Sequence, residues 1–173
     1  MKEPYHTDPL DALGKAYETL YEDIAKNFHD AENKTEPLFH KLVDEARNNI
    51  VKLKEISEQD AEKVTNWVKR DIADLANYLE RTGYELKDWL GFEAKLIEKE
   101  LLDSLLKAAD RTTTKILEIK EKNYLPSKYH TGEVVGPGTL SCDKCDEQLH
   151  FRKTGRIPLC PKCHATNFHR YVT

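Results

Sequence analysis

The four cysteines of the chain form two C-x2-C pairs near its C-terminal end. Cys142 and Cys145 make up the first pair, and Cys160 and Cys163 follow after a spacer of 14 residues. Two residues between cysteines allow a tight turn to aim both sulfurs at one ion, and thiolates are soft ligands that suit tetrahedral Zn²⁺ sites. The spacing therefore predicts a zinc ribbon in which all four cysteines bind one structural Zn²⁺.

Three other uses of these cysteines stay open. A thioredoxin-type redox pair needs a βαβ setting, which neither C-x2-C pair has. A rubredoxin-type iron centre has nearly the same ligand geometry, so the sequence alone separates Fe from Zn poorly. A catalytic zinc needs an open coordination position, which four cysteine ligands would close. We therefore expect a structural ion, no catalytic residue, no organic cofactor and no enzymatic activity.

The C-terminal segment that carries the cysteines is small and poor in large apolar side chains. Glycines and prolines become frequent after Pro126, and short runs such as Glu133 to Val135 and Gln148 to Phe151 indicate strands, with Gly155 at the reversal of a hairpin. A segment of this size rarely folds without a staple. Binding worth on the order of 10 kcal/mol to a structural zinc would supply the missing stability.

Three histidines lie close to the cysteines in sequence, namely His150, His164 and His169. With four thiolates present, they are predicted to be surface residues or hydrogen-bond donors to the sulfurs rather than ligands. His164 follows Cys163 directly, where zinc knuckles commonly use glycine for its positive φ, and Asp146 holds the equivalent place after Cys145. Histidine is among the residues that tolerate this left-handed backbone.

The chain before Pro126 shows apolar residues at helical spacing. The predicted stripes are Leu13, Tyr17, Leu20, Ile24 and Phe28 in a first helix, Leu38, Leu42, Ala46, Ile50 and Leu53 in a second, and Ala61, Val64, Val68, Ile72, Leu75 and Leu79 in a third. Thr35 is predicted to cap the second helix, and Ser57 with Asp60 the third.

A turn is predicted at Gly83, with Thr82 and Glu85 forming a capping box for the next helix. That fourth helix is expected to run without interruption from about Glu85 to Asn123, which at ~1.5 Å per residue would make it nearly 60 Å long. Its heptad-like stripe is Ile97, Leu101, Leu105, Ala108, Thr112, Ile116 and Ile119. Trp67 and Trp89 are predicted to be buried anchors.

These patterns predict a mainly α protein. Residues 1–8 are expected to be a flexible N-terminus, residues 9–124 an antiparallel helical hairpin or bundle with partly coiled-coil character, and residues 129–173 a small β zinc ribbon. Whether the helices pack within one chain or between two copies stays open. The ribbon is expected to be presented on the end of the helical body.

Charge argues against broad nucleic-acid binding. The net charge is −4, with 21 basic and 27 acidic residues in the first 128 positions, and six basic against four acidic residues from Tyr129 onward. A small basic cluster is nevertheless a candidate nucleic-acid contact. It consists of Arg152, Lys153 and Arg156, with Phe151 beside them. No secretory signal or membrane-spanning apolar run is seen, so a cytoplasmic protein without membrane contact is expected.

The residues leading into the first cysteine pair carry a resemblance. The stretch YHTGEVVGPGTLSC begins at Tyr129 and ends at Cys142, and LCPKC follows from Leu159. This stretch resembles a bacterial zinc-ribbon-containing protein family of unknown function, the YbeL-like family, whose members also carry a long charged helical part. The resemblance implies that the four cysteines are the zinc ligands and implies no activity. His164 departs from the glycine that relatives tend to have.

Two functions are compatible with these features. The first is a non-enzymatic adaptor, in which the helical body associates with a protein partner, an assembly or a second copy of the chain, and the ribbon docks. The alternative is a nucleic-acid- or ribosome-associated protein that uses the basic cluster. A redox-linked enzyme is the least favoured hypothesis.

Overall fold

The computed structural model describes residues 11–53, 56–83, 85–118 and 127–171. The predicted flexible N-terminus (1–8), the predicted helix end at Asn123 and the boundary near Tyr124 lie outside these ranges. The described helices are α1 (Ala12–Asp30), α2 (Glu36–Lys52), α3 (Glu58–Thr82), α4 (Leu86–Leu90), a short 3-10 helix (Ala94–Leu96), α5 (Lys99–Ala108) and α6 (Arg111–Leu117).

The predicted caps of α2 and α3 are confirmed. The Leu38 amide donates a hydrogen bond to Thr35 Oγ1 (3.2 Å), and the Asp60 amide donates to Ser57 Oγ (3.2 Å). Both bonds satisfy amides in the first turn that lack an intrahelical partner.

The buried faces of α1 and α3 match the prediction, whereas that of α2 is rotated. On α2, Phe39 is buried and packs edge-on against Phe28 of α1, with ring centroids 5.5 Å apart. Leu42 is partly buried and packs against the core, whereas Leu38 is outside that core and Leu53 is 67% exposed. The predicted α2 stripe was therefore wrong at Leu38 and Leu53, because the aromatic contact with α1 favours the neighbouring face.

The uninterrupted fourth helix was also wrong. The chain after Glu85 is divided into α4, the 3-10 helix, α5 and α6. Gly91 ends α4 with φ +74, and a Cβ there would lie 2.6 Å from Thr139 Oγ1. Asp110 begins α6 by accepting a hydrogen bond from the Thr113 amide (3.2 Å). These breaks allow α5 to pack on α1 and α6 on α3.

The turn between α3 and α4 was predicted correctly, but its cap was not. Gly83 ends α3 with φ +69, as expected. Thr82 remains inside α3, where its hydroxyl donates to the Tyr78 carbonyl (2.6 Å). The N-cap of α4 is Glu85, whose amide donates to Asp88 Oδ2 (3.0 Å).

The C-terminal region forms two small antiparallel sheets. Their strands are β1 (Tyr129–His130), β2 (Val134–Val135), β3 (Gly138–Cys142), β4 (Gln148–Phe151), β5 (Gly155–Arg156) and β6 (Asn167–Arg170). The order is β1-β6-β3-β4 in the first sheet, and β2 pairs with β5 in the second. Strands in the two predicted runs are confirmed. Gly155 lies in β5 and pairs with Val135 of β2, so it does not form the reversal of a hairpin.

The ribbon packs against the helices rather than extending from their end. In β2, Val134 belongs to the apolar core of α1, α2, α3, α4 and α5, whereas Val135 belongs to a separate ribbon core with Leu140, Ile157 and Phe168. Adjacent residues of one strand therefore contribute to both cores. Among the described helices, none is long and apolar enough to cross a membrane.

Candidate metal centre

Two similar turns place the cysteines. In the first, the Asp146 amide donates to the Cys142 carbonyl (3.0 Å), and in the second, the His164 amide donates to the Cys160 carbonyl (2.9 Å). Asp146 and His164 both have φ +60. The left-handed backbone expected directly after each C-x2-C pair is confirmed, and it turns both cysteines of each pair toward one point.

The turns bring the four cysteine sulfurs into one cluster. All four Sγ atoms lie within 4.8 Å of one another. The Sγ atoms of Cys142 and Cys163 are 3.6 Å apart, and those of Cys145 and Cys160 are also 3.6 Å apart. A tetrahedral site with Zn–S bonds of ~2.3 Å has sulfur–sulfur edges of about 3.8 Å, so this donor set fits Zn²⁺ in both spacing and softness. Cys142 and Cys160 are buried, and the other two are partly exposed.

Without a cation, the thiols of Cys160 and Cys145 have very different pKa values. Desolvation raises the pKa of Cys160, but the backbone amides of Cys163 and Lys162 and the nearby thiols bring it down to about 7. For Cys145, the Glu147 amide lowers the pKa, whereas desolvation and hydrogen bonds with the other sulfurs raise it to about 12. Four thiolates at this spacing therefore need a positive ion to balance their charge.

Two of the three histidines near the site have oxygen partners. His169 Nδ1 lies 2.5 Å from Asp143 Oδ1, and His150 Nδ1 lies 2.9 Å from Thr139 Oγ1. His164 is exposed. Thus the Nδ1 atoms of His150 and His169 contact oxygen atoms and not the cysteine sulfurs.

A family model described as a zinc-ribbon containing domain matches residues 26–172. The chain belongs to this family. Among its relatives are three proteins called "Uncharacterized protein YbeL", from Escherichia coli K12, O6:H1 and O157:H7. Each is 27% identical over 161 residues, which cover 93% of this chain and 97% of the relative. No solved structure matches. Family membership and the clustered thiolates together indicate a zinc-binding protein.

The basic cluster of this zinc ribbon is divided by the fold. Arg152 and Lys153 are exposed at the bend after β4. Arg156 instead points toward the start of α1, where its Nε lies 2.7 Å from Asp11 Oδ2, and its Nη1 donates to the Gly132 carbonyl (2.7 Å). Two of the three candidate nucleic-acid contacts therefore remain accessible together.

A buried polar network joins the ribbon to α3. Asp71 is 3% exposed and Arg170 is 4% exposed. Arg170 Nε donates to the Tyr129 hydroxyl (3.1 Å), and its Nη2 lies 3.7 Å from Asp71 Oδ2. The Tyr129 hydroxyl in turn donates to Asp74 Oδ2 (2.5 Å). Desolvation disfavours the charge on Arg170, but Tyr129 and Asp71 outweigh it and raise its pKa above the ordinary value.

The same network extends through Arg70 and Tyr17. Arg70 Nε lies 3.0 Å from Asp71 Oδ1, and Arg70 Nη1 lies 2.7 Å from Glu133 Oε1. The third nitrogen, Nη2, donates to the Val134 carbonyl (3.2 Å). The Tyr17 hydroxyl donates to the other oxygen of Asp71. Helical periodicity did not reveal this interface, because charged residues beside an apolar stripe have the pattern of a solvated helix face.

Proposed function

We propose that the chain is a non-enzymatic zinc-ribbon adaptor in the cytoplasm. One structural Zn²⁺ bound by Cys142, Cys145, Cys160 and Cys163 stabilises the ribbon, and the helical body, which has partly coiled-coil character, associates with a protein partner or assembly. The observation that supports this proposal is the cluster of four cysteine sulfurs. A complete set of protein ligands is typical of structural zinc and leaves no position for substrate or water.

The exposed side of the two metal-binding turns is the proposed contact surface of the ribbon. Leu159 is 50% exposed directly before Cys160. Lys144, Pro161 and Lys162 are also exposed and combine apolar and polar groups. Such a mixture suits a protein partner better than a phosphate backbone, which requires a dense basic surface.

The position of Arg156 also favours a protein partner over nucleic acid. Its ion pair with Asp11 removes one cation from the basic cluster. Desolvation raises the pKa of the partly buried Glu18 carboxyl in α1, and the nearby Lys153 charge opposes this rise. The acidic helical body therefore competes with phosphates for this cluster.

Metal analysis of the purified protein tests the structural site. We expect one Zn²⁺ per chain and slow reaction of the metal-bound protein with thiol reagents. A measured content of one iron per chain would show that the bound ion is iron and not Zn²⁺. Rapid thiol modification without metal loss would contradict a purely structural role.

Site-directed photo-crosslinking in cells tests the adaptor role. A crosslinker at position 162 in the ribbon is compared with one at position 41, an exposed lysine of α2. We expect both positions to capture protein, and the product from position 162 to disappear when Cys160→Ser removes a ligand. RNA or DNA adducts at position 162 would favour the nucleic-acid alternative. No protein product at either position, together with a strictly monomeric chain, would refute the adaptor.

A further inference from the structure

Two strands lead from the metal site into the helical body. Cys142 in β3 faces Phe168 in β6, and two residues further along the same pair of strands Leu140 faces Arg170. A strand rises about 3.3 Å per residue, so these two residue pairs are separated by roughly 7 Å. The strand that holds the first ligand and the strand that carries Arg170 are therefore one rigid hydrogen-bonded unit.

The other ends of these strands contact α4. The Arg170 guanidinium lies 4.7 Å from the centre of the Trp89 ring. Thr139, in β3, donates its hydroxyl proton to the Leu90 carbonyl (2.7 Å). Trp89 is 3% exposed and packs on Tyr78 of α3, with ring centroids 5.5 Å apart. The metal-binding strands thus cover the aromatic side of α4.

The strands and α4 are closely packed at two glycines. A Cβ on Gly138 would collide with Arg170 Nη1, and one on Gly91 would lie 2.6 Å from Thr139 Oγ1. Closely packed surfaces tend to separate as units instead of deforming gradually, because a gap of about 0.5–1 Å already forfeits a quarter to a half of the contact energy. A change in the position of β3 and β6 should therefore release α4 completely.

We propose that metal binding by the four cysteines and the packing of Arg170 and Thr139 on α4 are coupled, so that metal occupancy controls whether Trp89 is covered. The proposal rests on the metal site of the proposed function, but not on its adaptor role. Coupling between two sites is reciprocal. Metal release therefore uncovers the Trp89 side of α4. Conversely, loss of the α4 contacts weakens metal binding by the same factor by which metal release weakens those contacts.

Zinc affinity of an Arg170 variant tests one direction of the coupling. Competition with a chromophoric chelator compares full-length Arg170→Met with Arg152→Met, which changes an exposed arginine of the same ribbon. We expect roughly tenfold weaker zinc binding for Arg170→Met, within the range of typical coupling energies, and no change for Arg152→Met. Equal affinities of the two variants would overturn the proposal.

Thr139→Val provides a milder variant, because removing Arg170 leaves Asp71 without one of its cations and could unfold the chain. Valine keeps the shape of threonine and removes the hydroxyl that donates to Leu90. We expect severalfold weaker zinc binding with native circular dichroism. Unchanged affinity in Thr139→Val would also overturn the coupling.

Trp89 fluorescence tests the other direction. In a Trp67→Phe background, Trp89 is the remaining tryptophan. Chelation is expected to shift its emission to the red and increase quenching by acrylamide, and added zinc should reverse both changes. Complete zinc release with unchanged Trp89 emission would refute the coupling while leaving the metal site intact. A protein purified without bound metal, and unable to bind added zinc, would instead refute the proposed function.

Discussion

At the scale of single residues, the two metal-binding turns depend on non-glycine residues with positive φ. Asp146 and His164 both have φ +60. Left-handed backbone costs most side chains about 1–2 kcal/mol, although Asp and His adopt it more readily than others. The residue after each C-x2-C pair is therefore constrained by its backbone and not by contact with the metal.

Substitutions at His164 separate backbone strain from loss of the imidazole. His164→Gly removes the ring and relieves the strain, so we expect its stability to remain within about 1 kcal/mol of the original chain. His164→Val also removes the ring but adds a β-branched side chain at positive φ, and should cost about 2 kcal/mol. Thermal unfolding of the two zinc-bound proteins measures the difference. If both variants unfolded at the same temperature, the backbone would not be the constraint.

The sequence predicted the metal-binding turns because their information is local. The spacing of Cys142, Cys145, Cys160 and Cys163 and the position after each pair define both turns. The network around Asp71 could not be predicted in this way, because its partner Arg170 is distant in sequence and no local pattern links them. Buried ion pairs of this kind are visible only when the fold brings their elements together.

At the scale of elements, apolar periodicity predicted α1 and α3 well but missed the breaks after α4 and α5. Ile97, Leu105 and Ala108 are buried as their spacing predicted. The apolar pattern continues across Gly91, so periodicity alone could not show that α4 ends there. The break depends on a tertiary contact with Thr139 in the ribbon, which no helical pattern encodes.

Substituting alanine for two glycines separates the effect of the Thr139 contact from the effect of backbone conformation. Gly83 and Gly91 both end helices with positive φ, but a Cβ at Gly83 meets no atom within 4 Å. Gly83→Ala should therefore cost about 1–2 kcal/mol from the backbone alone. Gly91→Ala should cost roughly 3 kcal/mol or more, because its Cβ also displaces Thr139 from the Leu90 carbonyl. Urea unfolding measures both values, and equal costs would show that the ribbon contact does not define the end of α4.

At the scale of the whole molecule, the helical and ribbon cores meet across a layer of buried polar groups. Arg70 and Arg170 neutralise Asp71 and Glu133 there. Breaking a buried pair is strongly destabilising, whereas the pair itself adds little net stability, so we expect such a layer to specify one relative position of the two parts. The sequence predicted both parts of the molecule. It did not predict that they share an interface, because the residues of that layer come from α1, α3 and the ribbon.

Alkaline titration reports on this interface, because Tyr17, Tyr21 and Tyr129 lie within it or beside it. Burial is the main cause that raises the pKa of all three phenols above 10, so in the folded protein they retain their protons when exposed tyrosines ionise. The unfolded chain releases these protons near pH 10, and the folded chain releases them only at higher pH. Stability should be unaffected below about pH 10 and should fall as pH rises above it.

After a rapid jump to high pH, absorbance at 295 nm should therefore show a slow group of at least three tyrosines, with Tyr17, Tyr21 and Tyr129 among them, that ionise only as helical circular dichroism is lost. Tyr21→Phe should reduce this slow group by one. Immediate ionisation of all tyrosines with native circular dichroism would mean that the ribbon and the helices separate without unfolding.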